Sequence, residues 1–290
     1  MASSDLVWLI TGTSAGLGKV LALAALARGD KVIATTRARS FPQLKDLEAA
    51  GAAVLELDVT APLETLHEAA KKAVDIYGRI DVLVNNAGYI CVGTLEELTP
   101  EETLANFNTN TFGGLNVARA FLPYMRERRS GTILWMGSIA GWQANPYSGI
   151  YGATKWALKA ISRSFDKEIA SLGLRSISID WGYTRTTFLA EGQRAAPVSR
   201  ISDYRSIVDE TEAALQAYNG KQPGDPKKGV QAMVDMVHLE GKFEGVRREE
   251  LPLNLLLGSD AYKFVKGEIE QDSEMLEKWK HITTSTDIVE

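Results

Sequence analysis

The stretch Leu6-Val7-Trp8-Leu9-Ile10-Thr11-Gly12-Thr13-Ser14-Ala15-Gly16-Leu17-Gly18 runs five apolar residues into a glycine-punctuated turn, and residues 16–28 hold helical spacing behind it. A strand that feeds a helix through such a turn leaves unpaired backbone N–H groups at the helix start, where the positive end of the dipole favours an anion. Glycine lets the chain turn tightly and approach a bound group closely. The spacing of Gly12, Gly16 and Gly18 is G-x-x-x-G-x-G, and Gly18-Lys19 is followed by Val20, not by the Ser or Thr of an ATP-binding phosphate loop. The turn therefore reads as a dinucleotide cradle in which Gly12, Thr13, Ser14, Gly16, Leu17 and Gly18 are the contacts.

Outward from this turn, short apolar runs at 6–10, 31–36, 53–57, 81–84, 132–136 and 175–180 alternate with helix-period segments at 16–28, 44–50, 63–77, 101–128 and 150–172. That alternation predicts βαβ units: an α/β fold with a doubly wound parallel sheet and helices on both faces. A helix at 229–239, a strand at 253–257 and a closing amphipathic helix at 259–280 complete a sheet of about seven strands in one domain spanning 1–290. No internal repeat interrupts it. The alternation lapses in residues 183–226, a polar stretch with Gly192, Pro197, Gly220, Pro223, Gly224 and Pro226 around helical spacing at 206–218. Its length inside a compact fold marks it as a lid or substrate-binding insertion.

Composition narrows the partners. The 290 residues are 45% hydrophobic and carry 37 acidic against 32 basic side chains, a net charge of −5 that disfavours nucleic acid. The single Cys91 and the separated His67, His238 and His281 predict a reduced, intracellular chain with no metal site. Met1-Ala2-Ser3-Ser4-Asp5 has no basic leader region, and no apolar run approaches the ~20 residues of a membrane span, so a cytoplasmic location with no membrane partner is expected.

The second strand ends Ala34-Thr35-Thr36-Arg37-Ala38-Arg39. NAD-binding sheets place a carboxylate there for the ribose hydroxyls, whereas a guanidinium suits a 2′-phosphate. This predicts NADP(H), with Arg37 the main contact and Arg39 a weaker one. Further on, Tyr151-Gly152-Ala153-Thr154-Lys155 sets a phenol and an ammonium on one helix face. The nearby cation is expected to lower the phenol from its usual pKa near ~10 towards neutrality, making a general acid/base. Tyr262 and Lys266 share the spacing but lack accompanying motifs and read as structural.

The glycine turn, Leu57-Asp58-Val59-Thr60, Asn85-Asn86-Ala87-Gly88, Asn110, Ser138 and the Tyr151/Lys155 pair fall in an order and spacing that resembles the short-chain dehydrogenase/reductase family from residue 6 to about 188. The resemblance implies a Rossmann-type fold and a carbonyl reductase in which the cofactor supplies hydride and Tyr151 exchanges the proton with the substrate oxygen. Ser138 would hold that oxygen, Lys155 would lower the tyrosine pKa and hold the nicotinamide ribose, and Asn110 would anchor a water. It further assigns Asp58 and Val59 to the adenine, Asn86, Ala87 and Gly88 to its ribose, and Gly182, Thr184 and Thr186 to the nicotinamide end. Asn85 is expected to bond between strands. One departure is Trp181, which stands where the family has proline; it is expected either to wall the pocket or to pack. The family's pocket positions correspond to Trp142, Gln143, Tyr147, Trp181, Phe188 and Tyr204, an aromatic set that suits a moderately sized, mostly apolar ketone or aldehyde. Relatives pair through the helices at 101–128 and 150–172, so a homodimer or homotetramer is expected. An NAD-dependent alcohol dehydrogenase and a non-catalytic dinucleotide sensor are the alternatives; a nucleotide-sugar epimerase is disfavoured by Thr36 in place of an acid.

Overall fold

The computed structural model describes residues 5–186, 188 and 195–288; Met1–Ser4 and Gly192 lie outside them. Seven strands, β1 (Val7–Ile10), β2 (Lys31–Thr36), β3 (Ala53–Glu56), β4 (Val82–Asn85), β5 (Gly131–Met136), β6 (Leu174–Trp181) and β7 (Asn254–Leu257), form one sheet in the order β3-β2-β1-β4-β5-β6-β7. Every pairing is parallel. Ile10 of β1 pairs with Ala34 on one side and Val84 on the other. The winding reverses there, and a crevice opens beyond the strand ends.

The helices are α1 (Gly16–Arg28), α2 (Lys45–Ala49), α3 (Leu63–Tyr77), α4 (Pro100–Phe107), α5 (Gly114–Arg128), α6 (Gly149–Ile169), α7 (Arg205–Tyr218), α8 (Pro226–His238) and α9 (Ser259–Thr283). Alternate side chains of β1 enter two separate cores. Trp8 and Ile10 join Leu21, Ala25, Val230 and Met233 beneath α1 and α8. Val7 and Leu9 join Leu66, Val117, Phe121 and Leu158 beneath α3, α5 and α6. Burial on both faces is why the strands read as continuous apolar runs.

Three expectations are corrected. The segment 44–50 holds only the short α2, preceded by a 3₁₀ turn over Ala38–Leu44. The single helix expected at 101–128 is instead α4 and α5 joined by a π-helical turn, Asn108–Gly113. Gly113 allows this widening: a Cβ there would lie 2.8 Å from the Asn108 carbonyl and 2.9 Å from Val59 Cγ2. The start of α8 precedes the expected 229 because Asp225 caps it, its Oδ1 accepting the Lys227 N–H at 2.8 Å, with Pro226 in the first turn.

Candidate active site

A cleft of about 1440 Å³ crosses the carboxyl ends of the strands. At its nucleotide half the backbone of the glycine turn is left-handed at Gly12 (φ 70°) and Gly16 (φ 60°). A Cβ at Gly12 would lie 2.9 Å from Ala87 Cα, and one at Gly18 would lie 2.7 Å from the Gly12 carbonyl. A Cβ at Gly16 would meet nothing within 4 Å, so this glycine faces open space. Thr11 and Asn86 tie the turn to the end of β4. The Thr11 hydroxyl accepts the Asn86 and Ala87 N–H groups at 3.0 Å each, and Asn86 Nδ2 donates to the Thr11 and Gly12 carbonyls at 2.7 and 3.0 Å.

Gly12, Ser14, Gly16 and Leu17 line the cleft, but two of the expected turn contacts do not. Thr13 is fully buried with its hydroxyl donating to the Thr35 carbonyl at 3.1 Å, and Gly18 lies behind the turn against Asn86. Ala15, ahead of α1, offers no side-chain cap, which leaves the first-turn amides for a bound anion. Arg37, Arg39, Asp58, Val59, Asn86, Ala87 and Gly88 line the far end. Desolvation and then the neighbouring Arg39 charge lower the Arg37 pKa. Open amides, a glycine facing free space and two arginines at the end of β2 fit a dinucleotide carrying phosphate groups.

The inner half is built from β5, α6 and the exit of β6. Ser138 follows β5, its hydroxyl accepting the Ala140 N–H at 3.1 Å, and Tyr151 and Lys155 lie on the first turns of α6, all three lining the cleft. Lys155 Nζ donates to the Met136 carbonyl at 2.6 Å and sits 5.6 Å from the centre of the Tyr151 ring. The expected depression of the tyrosine pKa is not found. Burial pushes Tyr151 up to about 12, a hydrogen bond from Ser138 opposing it, and burial pushes Lys155 down to about 8. Desolvation of the charged form is the largest cause of the shift in each case.

Asn110 stands in the π-turn outside the cleft lining. Its Oδ1 accepts the Tyr89 N–H at 3.0 Å, and its Nδ2 donates to the Tyr89 carbonyl and Thr154 Oγ1 at 2.9 and 3.2 Å. Thr154 Oγ1 in turn donates to the Tyr151 carbonyl at 2.6 Å, so Asn110 braces the backbone of the tyrosine. The inter-strand bond expected of Asn85 is not made: its amide is buried with no partner among the described residues.

Trp181 both walls the cleft and packs. It lines the pocket, and a Cβ at Gly229 of α8 would collide with its indole. The turn that proline would have stiffened is held by hydrogen bonds instead: Gly182 N–H to the Leu257 carbonyl at 2.8 Å, Tyr183 N–H to Asp260 Oδ2 at 2.7 Å, and a bridge from Thr184 to Gly224. Gly182, Thr184 and Thr186 all line the cleft.

Of the six residues expected to contact substrate, Tyr147, Trp181 and Phe188 line the cleft and three do not. Trp142 turns away, its Nε1 donating to Asp180 Oδ2 at 2.8 Å. Gln143 lies beside the start of α6, and the Tyr204 hydroxyl donates to Glu96 Oε2 at 2.5 Å on the surface. The wall missed from sequence comes from Ile90, Val92, Thr211, Leu215, Tyr218 and Gln222. The helical spacing at 206–218 was the signal for three of them. Gln222 gave none, yet it is buried with both amide atoms lacking a partner among the described residues. Tyr262 is exposed on α9 away from the cleft lining, and Lys266 pairs with Glu270.

The sequence pattern of the short chain dehydrogenase family matches residues 6–196. The chain belongs to that family. This short-chain dehydrogenase is 32% identical to Oxidoreductase BOA17 of Botryotinia fuckeliana over 284 residues, 97% of this chain and 98% of that protein. It is 36% identical to a 3-ketodihydrosphingosine reductase of Bacteroides thetaiotaomicron over 197 residues, 68% of this chain and 70% of that one. Among solved structures, a short-chain dehydrogenase from Streptomyces avermitilis superimposes with a TM-score of 0.85 at 35% identity, covering 99% of this chain and 100% of the other. Members of the short-chain dehydrogenase family are oxidoreductases that bind a nicotinamide dinucleotide. No helix among the described residues is long and apolar enough to cross a membrane.

Proposed function

We propose that this short-chain dehydrogenase catalyses NADPH-dependent reduction of a ketone or aldehyde, and the reverse alcohol oxidation, on a moderately sized, mostly apolar substrate. The observation that carries the reading is the convergence of Ser138 and Tyr151 on the inner end of a cleft whose outer end presents Arg37 and Arg39. Neither guanidinium hydrogen-bonds to the described residues, and no carboxylate ends β2, so a 2′-phosphate is the complementary ligand. The name of the Bacteroides relative, a reductase of a keto compound, supports the reductive direction.

A dinucleotide held by the glycine turn, Arg37 and Lys155 would supply hydride chemistry at the inner end of the cleft. Tyr151 gives its phenolic proton to the carbonyl oxygen, and Ser138 holds that oxygen by a hydrogen bond. The buried tyrosine stays protonated through neutral pH, as a donor requires. Lys155 stabilises the phenolate left behind. Ile90, Val92, Leu215 and Phe188 exclude water and accept an apolar body, and the amide of Gln222 offers one polar contact on that wall. Residues 195–226 act as the lid, α7 lining the cleft through Thr211, Leu215 and Tyr218. We place the enzyme in the cytoplasm as a homodimer or homotetramer; the exposed Leu104, Phe112 and Trp156 lie on the segments that would pair.

The test is calorimetric titration with NADPH and NADH beside Arg37→Ala, followed by turnover of hydrophobic carbonyls and of small oxo-acids. Tighter NADPH binding that the variant loses, with preference for hydrophobic carbonyls, is the expected result. Equal or NADH-favoured binding overturns the cofactor assignment in favour of NAD-linked alcohol oxidation, and a preference for oxo-acids overturns the substrate class.

A further inference from the structure

Asp180 lies on β6 one residue before Trp181, only 1% exposed. Its Oδ1 accepts from Ser178 Oγ at 2.5 Å, and its Oδ2 accepts from Trp142 Nε1 at 2.8 Å and Asn254 Nδ2 at 3.2 Å. Burying a carboxylate this deep is offset where hydrogen bonds and nearby cations compensate its lost hydration. Two lysines of α6 are buried close by. Lys155 donates to the Met136 carbonyl, and the next residue is Gly137, where a Cβ would collide with Asp180 Oδ1. The carboxylate thus fills the space under the turn whose carbonyl grips Lys155. Lys159 donates to the Gly141 carbonyl and rests 3.5 Å from the centre of the Trp142 ring, whose Nε1 is bonded to Asp180. One anion is therefore joined to two buried cations, through Gly137 on one side and through an indole on the other.

We propose that Asp180 is a positioning residue for the active site: its buried charge holds the ammonium of Lys155 protonated and in place behind Tyr151, with Lys159 and Trp142 completing the floor beneath it. This rests on the roles of Tyr151 and Lys155 given above. Burial pushes both lysines down to about 8, and Asp180 is the anion that opposes the fall in each case. The other titratable or charged groups around this floor are Tyr151 and Arg163 on α6, Tyr183 at the exit of β6, and Asp260 on α9, which is engaged by the Tyr183 N–H. Trp142, which the sequence assigned to substrate, thereby has a role beneath the site.

Asp180→Asn tests the charge. The amide oxygen can accept from Trp142 and Asn254 while the NH₂ donates to Ser178 Oγ, a hydroxyl able to reverse its role, so all three contacts survive. The first readout needs no turnover: thermal unfolding of the full-length protein from pH 7 to 10. With the anion gone the lysines lose their protons at lower pH, so the Tm deficit of the variant shrinks as pH rises. A merely structural loss gives an offset independent of pH. The second readout is the pH profile of kcat, whose alkaline limb moves down by about one unit, a roughly tenfold larger loss at pH 9 than at pH 6. A pH-independent Tm offset together with an unmoved limb overturns the proposal. If the wild-type protein reduces no carbonyl, the proposed function fails while the unfolding series still decides the role of Asp180. Should Asp180→Asn not fold, Lys159→Met probes the same balance: with one cation removed Asp180 serves Lys155 alone, and the alkaline limb moves up. An unmoved limb there also overturns it.

Discussion

Tyr151 and Lys155 stand four residues apart on α6, and burial moves them in opposite directions, the phenol up to about 12 and the ammonium down to about 8. Both residues and their common face were legible in the sequence, because helical spacing is local. The sign of the tyrosine shift was not, because desolvation depends on what packs around the pair. Tyr151→Phe removes the proposed proton donor, so kcat is expected to fall by on the order of 10²–10⁴ while calorimetry finds the cofactor affinity little changed. The shifts also set a stability profile. A lysine whose folded pKa lies below the ordinary value of 10.5 is more readily protonated in the unfolded chain, so Lys155 and Lys159 make stability rise between about pH 8 and 10.5. Tyr151, raised above 10.0, holds its proton longer when folded and makes stability fall as pH climbs from 10 towards 12. Melting curves across this range should show a rise and then a fall, and Lys159→Met should flatten the rise.

Among elements, the join of α4, the π-turn and α5 fixes how the sequence is read. Thr99 and Glu102 form a capping box, the Glu102 N–H donating to Thr99 Oγ1 at 3.2 Å and the Thr99 N–H to Glu102 Oε2 at 2.8 Å. Glu102 also takes both terminal nitrogens of Arg200, at 2.9 and 2.7 Å, so the cap anchors the arm that leads to α7. Thr99→Ala should cost about 1 kcal/mol in chemical denaturation and raise proteolysis of residues 195–204. Thr99-x-x-Glu102 is a local capping-box spacing, and it starts α4 at Pro100, one residue ahead of the expected 101. The π-turn carried no such mark, since it arises from the fit of Gly113 against Val59 and of Asn110 against Tyr89. The glycine turn is less forgiving: Gly18→Ala would press a methyl onto the Gly12 carbonyl and the Asn86 amide, and calorimetry should find dinucleotide binding weakened more than tenfold, about 1.4 kcal/mol or more.

At the scale of the molecule, Asp30 fastens the two ends of the fold. Its Oδ1 accepts the Leu6 N–H at 3.0 Å, and its Oδ2 accepts from Trp8 Nε1 and His238 Nε2 at 2.8 Å each, the latter 208 residues away. The proton is assigned to Nε2 because an ionised carboxylate only accepts. Asp30→Ala leaves an indole and an imidazole donor buried without their acceptor, and urea titration should show a loss of about 3 kcal/mol. The amino-acid sequence by itself determined the alternation of strands and helices, the parallel sheet, the glycine turn and the order of Ser138, Tyr151 and Lys155, because periodicity and glycine backbone freedom act over a few residues. Only the tertiary structure decided which side chains wall the cleft, the direction of the tyrosine shift and the place of Asp180. Each depends on which distant group a side chain meets, as Trp142 meets Asp180 across 38 residues and Tyr204 meets Glu96 across 108, and such encounters leave no local pattern.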